Sequence, residues 1–131
     1  MKPQTWEWIE KAEEDFEVAK RLKRAKKPLY NSVCFHCQQC AEKYIKAFLE
    51  EEGQYVPKSH DLVALITLSP SLKELLEKKE ELEKLTGYAV AFRYPGAKAS
   101  QKNAEQCFSI ASFIRKVIRA KLKLNQVGKK K

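Results

Sequence analysis

Apolar side chains recur every three to four positions over most of this sequence, and few residues interrupt the repeat. The 131 residues include only four glycines and five prolines, which are the residues least compatible with a helix interior. The spacing matches one face of an α-helix, which has about 3.6 residues per turn. We therefore predict an all-α protein.

Four long helices and one short helix account for the pattern. Caps are predicted at Thr5, Ser59, Ser69 and Ser100, because Ser and Thr side chains accept bonds from the free amides that open a helix. Ser69-Pro70 is predicted to restart the chain after the short helix, and Gly53 to close the second long helix. The predicted ranges are 5–26, 28–52, 59–68, 80–92 and a last helix that begins at residue 100.

Short connections between long helices favour neighbours that run in opposite directions. We predict an antiparallel up-and-down four-helix bundle with an additional short helix. The chain has the length of one domain, and no linker divides it. Residues 1–124 are therefore predicted to form a single helical domain, and the basic residues 125–131 a disordered tail.

The sequence predicts a cytoplasmic protein. No hydrophobic leader follows Met1, and no apolar run is long enough to cross a bilayer. Cys34, Cys37 and Cys40 lie too close along one helix for a normal disulfide framework with Cys107. They also spread over about a third of the helical wheel, which favours buried thiols over metal ligands. We predict no metal and no cofactor.

Basic residues outnumber acidic residues by 26 to 17, a balance that favours polyanionic ligands such as nucleic acid. A basic run at 20–27 precedes Pro28, where cations complement the carbonyl end of the first helix. In an up-and-down bundle this run and the basic end of the last helix lie at opposite ends. The pattern therefore does not predict one continuous nucleic-acid groove.

The second helix carries the main candidate site. His36, Gln39 and Lys43 fall on one stripe, nearly opposite the predicted core arc, and could jointly meet an anion, a base edge or a partner subunit. The alternative is plain solvent exposure. The predicted core arc consists of Cys34, Cys37, Ala41, Tyr44, Ile45 and Phe48.

Two further pairs are candidates for ligand binding. His60 and Asp61 lie in the first turn of the short helix, where helix capping is at least as good an explanation as catalysis. Arg93 and Tyr94 close the penultimate helix and could clamp a phosphate and stack a base. The chain lacks a glycine-rich phosphate loop, a serine nucleophile elbow and a metalloprotease motif.

The last helix presents a second apolar edge. Ile110, Phe113 and Val117 flank the predicted core stripe of that helix. Monomers rarely leave such an edge bare. We predict that these three residues contact a second copy of the chain or another protein.

Three blocks of the sequence resemble the HEPN domain family, in the branch related to companions of minimal nucleotidyltransferases. They are FHCQQCAEK at 35–43, KSHDL at 58–62 and FRYPG at 92–96. The resemblance covers nearly the whole chain. It implies a bundle of four main helices plus a short one, commonly dimeric, with a polar cleft near the subunit contact.

Many HEPN proteins are metal-independent ribonucleases with an Arg followed four to six residues later by a His, and this chain departs from that motif. Neither His36 nor His60 has an Arg at that spacing before it, and no His follows Arg93. Enzymatic activity is therefore uncertain, and the sequence favours binding over cleavage.

Three hypotheses for function follow. The first is a HEPN protein that binds a nucleotide or RNA and acts with a nucleotidyltransferase partner in a toxin–antitoxin-like system. The second is a ribonuclease toxin with a non-standard pair formed by Arg93 and His36 or His60. The third is a structural adaptor, in which the polar stripe seals a dimer or a heterocomplex.

Overall fold

The computed structural model describes residues 1–124, and the secondary structure in that part of the chain consists of helices, without a strand. The predicted all-α class is confirmed, as are four long helices and one short one. They are α1 (Pro3–Arg24), α2 (Tyr30–Glu51), the short α3 (Leu62–Ile66), α4 (Lys79–Ala91) and α5 (Gln101–Lys121), and a 3₁₀ helix (Pro70–Lys78) precedes α4. The predicted tail, 125–131, lies outside the described residues.

Side-chain contacts confirm the up-and-down arrangement. The Lys2 backbone amide donates to Glu51 at 3.1 Å, which places the start of α1 beside the end of α2. The Asn31 side chain accepts from the Ala99 amide at 2.7 Å, so α2 and α5 begin at the same end of the bundle. Lys121 pairs with Glu74 at 2.7 Å, where α5 ends beside the 3₁₀ helix. Successive long helices therefore alternate in direction, as predicted.

Helix α2 lies at the centre of the bundle. Its predicted core arc is buried throughout, from Cys34 to Phe48. Burial extends beyond that arc, because α1, α4 and α5 pack around the same helix and α3 covers its later half. Gln38, Glu42 and Lys46 are consequently buried as well, at 2%, 3% and 4% exposure. Three polar side chains inside the bundle must therefore find partners there.

Three of the four predicted helix caps are wrong, among them those at Thr5 and Ser59. Helix α1 begins two residues before Thr5, whose hydroxyl instead donates to Glu51 at 2.9 Å. Helix α3 is capped by Asp61, which accepts from the Ala64 amide at 3.1 Å, while Ser59 accepts from the Asp61 amide in the preceding turn. A carboxylate next to the helix satisfies the free amides better than a hydroxyl two residues away.

The chain from Ser69 to Ala91 also differs from the prediction. Ser69-Pro70 restarts the chain, but the Ser69 hydroxyl donates to Glu52 at 2.6 Å and does not cap the helix. Nine residues then form a 3₁₀ helix that continues directly into α4. By contrast, the Ser100 cap of α5 is confirmed, since Ser100 and Asn103 form a reciprocal capping box.

In the described part of the chain, every helix is too short or too polar to cross a membrane.

Candidate ligand-binding face of helix α2

His36 and Lys43 share one carboxylate partner on α1. The Asp15 carboxylate contacts His36 Nδ1 at 2.8 Å through Oδ1 and Lys43 Nζ at 2.7 Å through Oδ2. The side chains of His36 and Lys43 are 28% and 21% solvent-exposed. The prediction that they share a stripe is correct, but plain solvent exposure is wrong because α1 packs against that stripe. The bond at Nδ1 leaves Nε2 as the nitrogen that can act on a ligand.

Arg93 lies on the same surface as His36, although 57 positions separate them in the sequence. Its guanidinium carbon lies 5.7 Å from the centre of the Phe35 ring, and that ring meets the His36 ring edge-on at 5.2 Å. Both contacts end on Phe35, so an imidazole and a guanidinium flank one aromatic side chain. Arg93 itself is exposed and stays available to an anionic ligand.

A second carboxylate–histidine pair lies further along α2. The buried Glu42 carboxylate contacts His60 Nδ1 at 2.8 Å and accepts from Lys46 at 2.8 Å. Gln38 donates both to Glu42 at 3.1 Å and to the backbone carbonyl of His60 at 2.9 Å. His60 is thus held at its ring and at its backbone while 74% of its side chain stays exposed.

Gln39 bonds to the second carboxylate–histidine pair and lies beside the first on α2. Its amide donates to the Gln38 side-chain oxygen at 2.9 Å, one residue away on α2. The bonds lead from Gln38 to Glu42 and His60, while His36 and Lys43 lie three and four positions from Gln39 on the same helix. One histidine on α2 and one in the loop before α3 are therefore each held by a carboxylate beside the polar face of α2.

Two other candidate residues, Asp61 and Tyr94, take no part in the bonds of the two carboxylate–histidine pairs. Asp61 is the cap of α3, so its carboxylate oxygen is engaged with a backbone amide. Tyr94 follows Arg93 at the end of α4 and is 60% exposed. Its ring is available for stacking near the Arg93 guanidinium.

Sequence reasoning missed Gln38, Glu42 and Lys46. They are spaced four residues apart, as on one face of a helix, and a carboxylate between an amide and an amine at that spacing was a visible signal. Burial raises the pKa of Glu42, but the bonds from Lys46, His60 and Gln38 outweigh it and hold that pKa below its ordinary value. Glu42 is therefore a buried anion that holds His60 in place.

Residues 5–121 match the HEPN domain family. The chain belongs to the HEPN domain family. A relative from Methanocaldococcus jannaschii, named "Putative toxin", is 31% identical over 134 residues, which cover 88% of this chain and 86% of the relative.

Two crystal structures share the fold of this HEPN domain. One, described as an archaeal HEPN homologue, has a TM-score of 0.74 and 28% identity, and the match covers 93% of this chain and 99% of the other. A protein from Thermus thermophilus has a TM-score of 0.75 and 22% identity, with 92% and 99% covered. At that lower identity, the second structure supports the fold alone.

A second polar cluster ties three helices of the HEPN domain together. Glu13 of α1 accepts from Arg115 of α5 at 2.6 Å and 2.9 Å and also from the Tyr44 hydroxyl of α2. Arg119 donates to the same hydroxyl at 3.1 Å. Burial raises the pKa of Glu13, yet the bonds from Arg115 and Tyr44 bring it below its ordinary value. This cluster is a structural clamp between α1, α2 and α5.

All four cysteines of the HEPN domain are free and buried, as predicted. Burial raises the pKa of the Cys37 and Cys40 thiols, which keeps both in the unreactive protonated form. Among residues 1–124, no three His, Cys, Asp or Glu side chains converge as a metal site requires.

The predicted interface residues are only partly available. Ile110 is 5% exposed and belongs to the core, so its assignment to a free apolar edge is wrong. Phe113 and Val117 are half-buried beside that core. A groove of about 530 Å³ between α4 and α5 reaches Phe113, and Lys78 and Glu81 lie on its rim. Ile110 and Phe113 both line this groove, and Val117 lies outside its lining.

Proposed function

We propose that this HEPN protein binds a nucleotide or RNA on the polar face of α2. Arg93 and Lys43 would contact phosphate, and Tyr94 would stack on a base. The proposed ligand-binding residues are His36, Gln39, Lys43, His60, Asp61, Arg93 and Tyr94.

The contact of Arg93 with Phe35 beside His36 carries this proposal. It brings an exposed guanidinium, an aromatic ring and a carboxylate-held imidazole onto one surface. Asp15 already balances the charge of Lys43, so Arg93 is the cation that contributes most of the attraction for phosphate. Asp61 supports the site indirectly, because its bond to the Ala64 amide starts the helix that follows His60.

Calorimetry with AMP, ATP and a short RNA at low salt tests the proposal. Arg93→Gln should weaken binding by at least about tenfold, since a hydrogen bond to a charged group contributes about 1.5–3 kcal/mol. Lys116→Gln is the matched control, because it removes one exposed cation from the far half of α5. Binding that is absent in the wild type, or equal in Arg93→Gln and the control, contradicts the proposal.

The protein is further proposed to act as the toxin-like member of a pair with a nucleotidyltransferase. The toxin name of the Methanocaldococcus jannaschii relative and the resemblance to nucleotidyltransferase companions support this pairing. Growth arrest on expression of this chain, relieved by co-expression of the small nucleotidyltransferase from a neighbouring reading frame, is the expected result. Unaffected growth contradicts the toxin role, and arrest without relief contradicts the pairing.

Ribonuclease activity is the second candidate, favoured by the two carboxylate–histidine pairs. In this scheme His36 Nε2 takes the proton of a 2′-hydroxyl, and the 2′-oxygen then bonds to the adjacent phosphorus. The bond to the 5′-oxygen breaks, and that oxygen takes a proton from His60 in its imidazolium form. The products are a 2′,3′-cyclic phosphate and a 5′-hydroxyl, while Arg93 stabilises the negative charge that develops on phosphate.

The ribonuclease scheme requires both histidines and no added metal. RNA incubated with the protein in a chelator should be cut by the wild type and far more slowly by His36→Ala and His60→Ala. Intact RNA with the wild type, or cutting by either variant at the wild-type rate, overturns the scheme and leaves binding as the function.

A homodimer through the face of Phe113 and Val117 is proposed on the family resemblance and the α4–α5 groove. The structural-adaptor hypothesis rests on the same assembly. Phe113→Glu should convert a dimer to a monomer in analytical ultracentrifugation, because it places a charge in an apolar contact. A wild type that sediments as a monomer refutes the interface. If Lys43→Glu leaves a dimer unchanged, the polar stripe does not seal the subunit contact.

A further inference from the structure

One end of the bundle is strongly basic. Residues 20–32 and 91–102 together hold nine Lys and Arg and no Asp or Glu. We call this region the basic end and define it by those two segments. The up-and-down topology brings them together, because α1 and α4 finish where α2 and α5 begin.

Direct contacts show that the two segments meet. The Asn31 side chain accepts from the Ala99 amide at 2.7 Å, which joins the first segment to the second. Pro28 and Lys98 line one groove of about 280 Å³ between the start of α2 and the loop before α5. Tyr30 lines the same groove and is half-buried. The groove therefore combines a cation with an aromatic side chain.

Most of these cations remain free to meet a ligand. Lys26, Lys27, Lys98 and Lys102 are all exposed. Within the described residues, Arg21 is the cation of the basic end that forms a salt bridge, with Glu17 at 2.9 Å. The opposite end carries charges of both signs, since α2 finishes there in three consecutive glutamates at 50–52 and α5 ends there in Arg119 and Lys121. A polyanion is thus attracted most strongly to the basic end.

We propose that the basic end binds a single-stranded polynucleotide that continues from the proposed nucleotide site. The backbone phosphates contact Lys26, Lys27 and Lys98, and one base packs beside Tyr30 in the groove. Arg93 belongs both to the basic end and to the α2 face, so a strand leaving His36 passes onto the lysines. This inference rests on the proposed function and specifies its ligand as a strand of several nucleotides.

A charge-matched pair of triple variants tests the inference. The test variant carries Lys26→Gln, Lys27→Gln and Lys98→Gln. The control carries Lys73→Gln, Lys79→Gln and Lys116→Gln, which remove three exposed lysines away from the basic end. Fluorescence anisotropy with labelled twenty-nucleotide oligo-U and oligo-dT measures strand binding, and calorimetry with AMP measures the nucleotide site alone.

The test variant should bind oligo-U at least about tenfold more weakly than the control. Its salt dependence, log K against log salt, should be shallower by about 2, because three phosphate contacts on a single strand each contribute about 0.7. AMP binding should be the same in both variants. Equal strand affinity and equal salt slopes in the two variants overturn the inference, as does a wild type that binds neither strand.

The outcomes separate the inference from the proposed function. Loss of AMP binding in Arg93→Gln with equal strand binding by both triple variants would uphold the nucleotide site and refute the strand site. Strand binding that depends on the three lysines, in a protein that does not bind AMP, would uphold the strand site and refute the nucleotide site. Preference for oligo-U over oligo-dT would assign the ligand as RNA, through contacts to its 2′-hydroxyls.

Discussion

Lys46→Met removes the cation that pairs with the buried Glu42 carboxylate. Both residues are nearly inaccessible, at 4% and 3% exposure, and their charged atoms lie 2.8 Å apart. Breaking a buried pair by removing one partner costs about 3–5 kcal/mol, because the other charge stays buried. Glu42 keeps its bonds to Gln38 and His60, and His60 is largely solvent-exposed, so the low end of that range applies.

The expected loss from Lys46→Met is about 3 kcal/mol, which corresponds to a fall in Tm of about 10 °C for a chain of this size. Thermal and urea unfolding at pH 7 measure it. Lys116→Met, on an exposed face of α5, is the control and should change stability by less than about 0.5 kcal/mol. The double variant Glu42→Gln with Lys46→Met should recover most of the loss, since no charge is then left buried.

The same pair should make stability depend on pH. The pKa of Glu42 is below its ordinary value of 4.5, so the ionised carboxylate stabilises the fold above that value. This contribution is lost as pH falls through the lowered pKa, and the difference between wild type and Lys46→Met should shrink there. A Lys46→Met variant as stable as the control, or a difference that stays constant in acid, would refute the reasoning.

Three further predictions concern the rest of the fold. Glu13→Gln should lower the free energy of unfolding by about 1–3 kcal/mol at pH 7. Because Glu13 also has a lowered pKa, the variant should lose less stability than the wild type as pH falls below the ordinary pKa of 4.5. Urea unfolding between pH 7 and pH 3 measures both effects. Asp61→Ala should cost about 1 kcal/mol by removing the cap of α3, whereas Ser59→Ala should cost less, and equal losses in thermal unfolding would contradict the assigned cap. Native thiols such as Cys40 should react with a disulfide reagent only after unfolding, and rapid labelling of the native protein would show that burial does not protect them.

Local sequence signals were sufficient for most of the helices. Apolar spacing identified the core arc of α2, and Ser100 identified the start of α5, because both depend on residues within a few turns of each other. The caps at Thr5 and Ser59 failed for a physical reason. Their hydroxyls form other hydrogen bonds, with the distant Glu51 for Thr5 and the preceding turn for Ser59.

The candidate site was likewise determined in part by the sequence and in part by the tertiary structure. Helical periodicity alone determined that His36, Gln39 and Lys43 share one stripe, and the three sequence blocks were sufficient to recognise the family. Only the tertiary structure decided that Asp15 on another helix holds both His36 and Lys43, and that Arg93 meets Phe35. Side-chain spacing on one helix follows from backbone geometry, whereas contacts between helices depend on how the whole bundle packs.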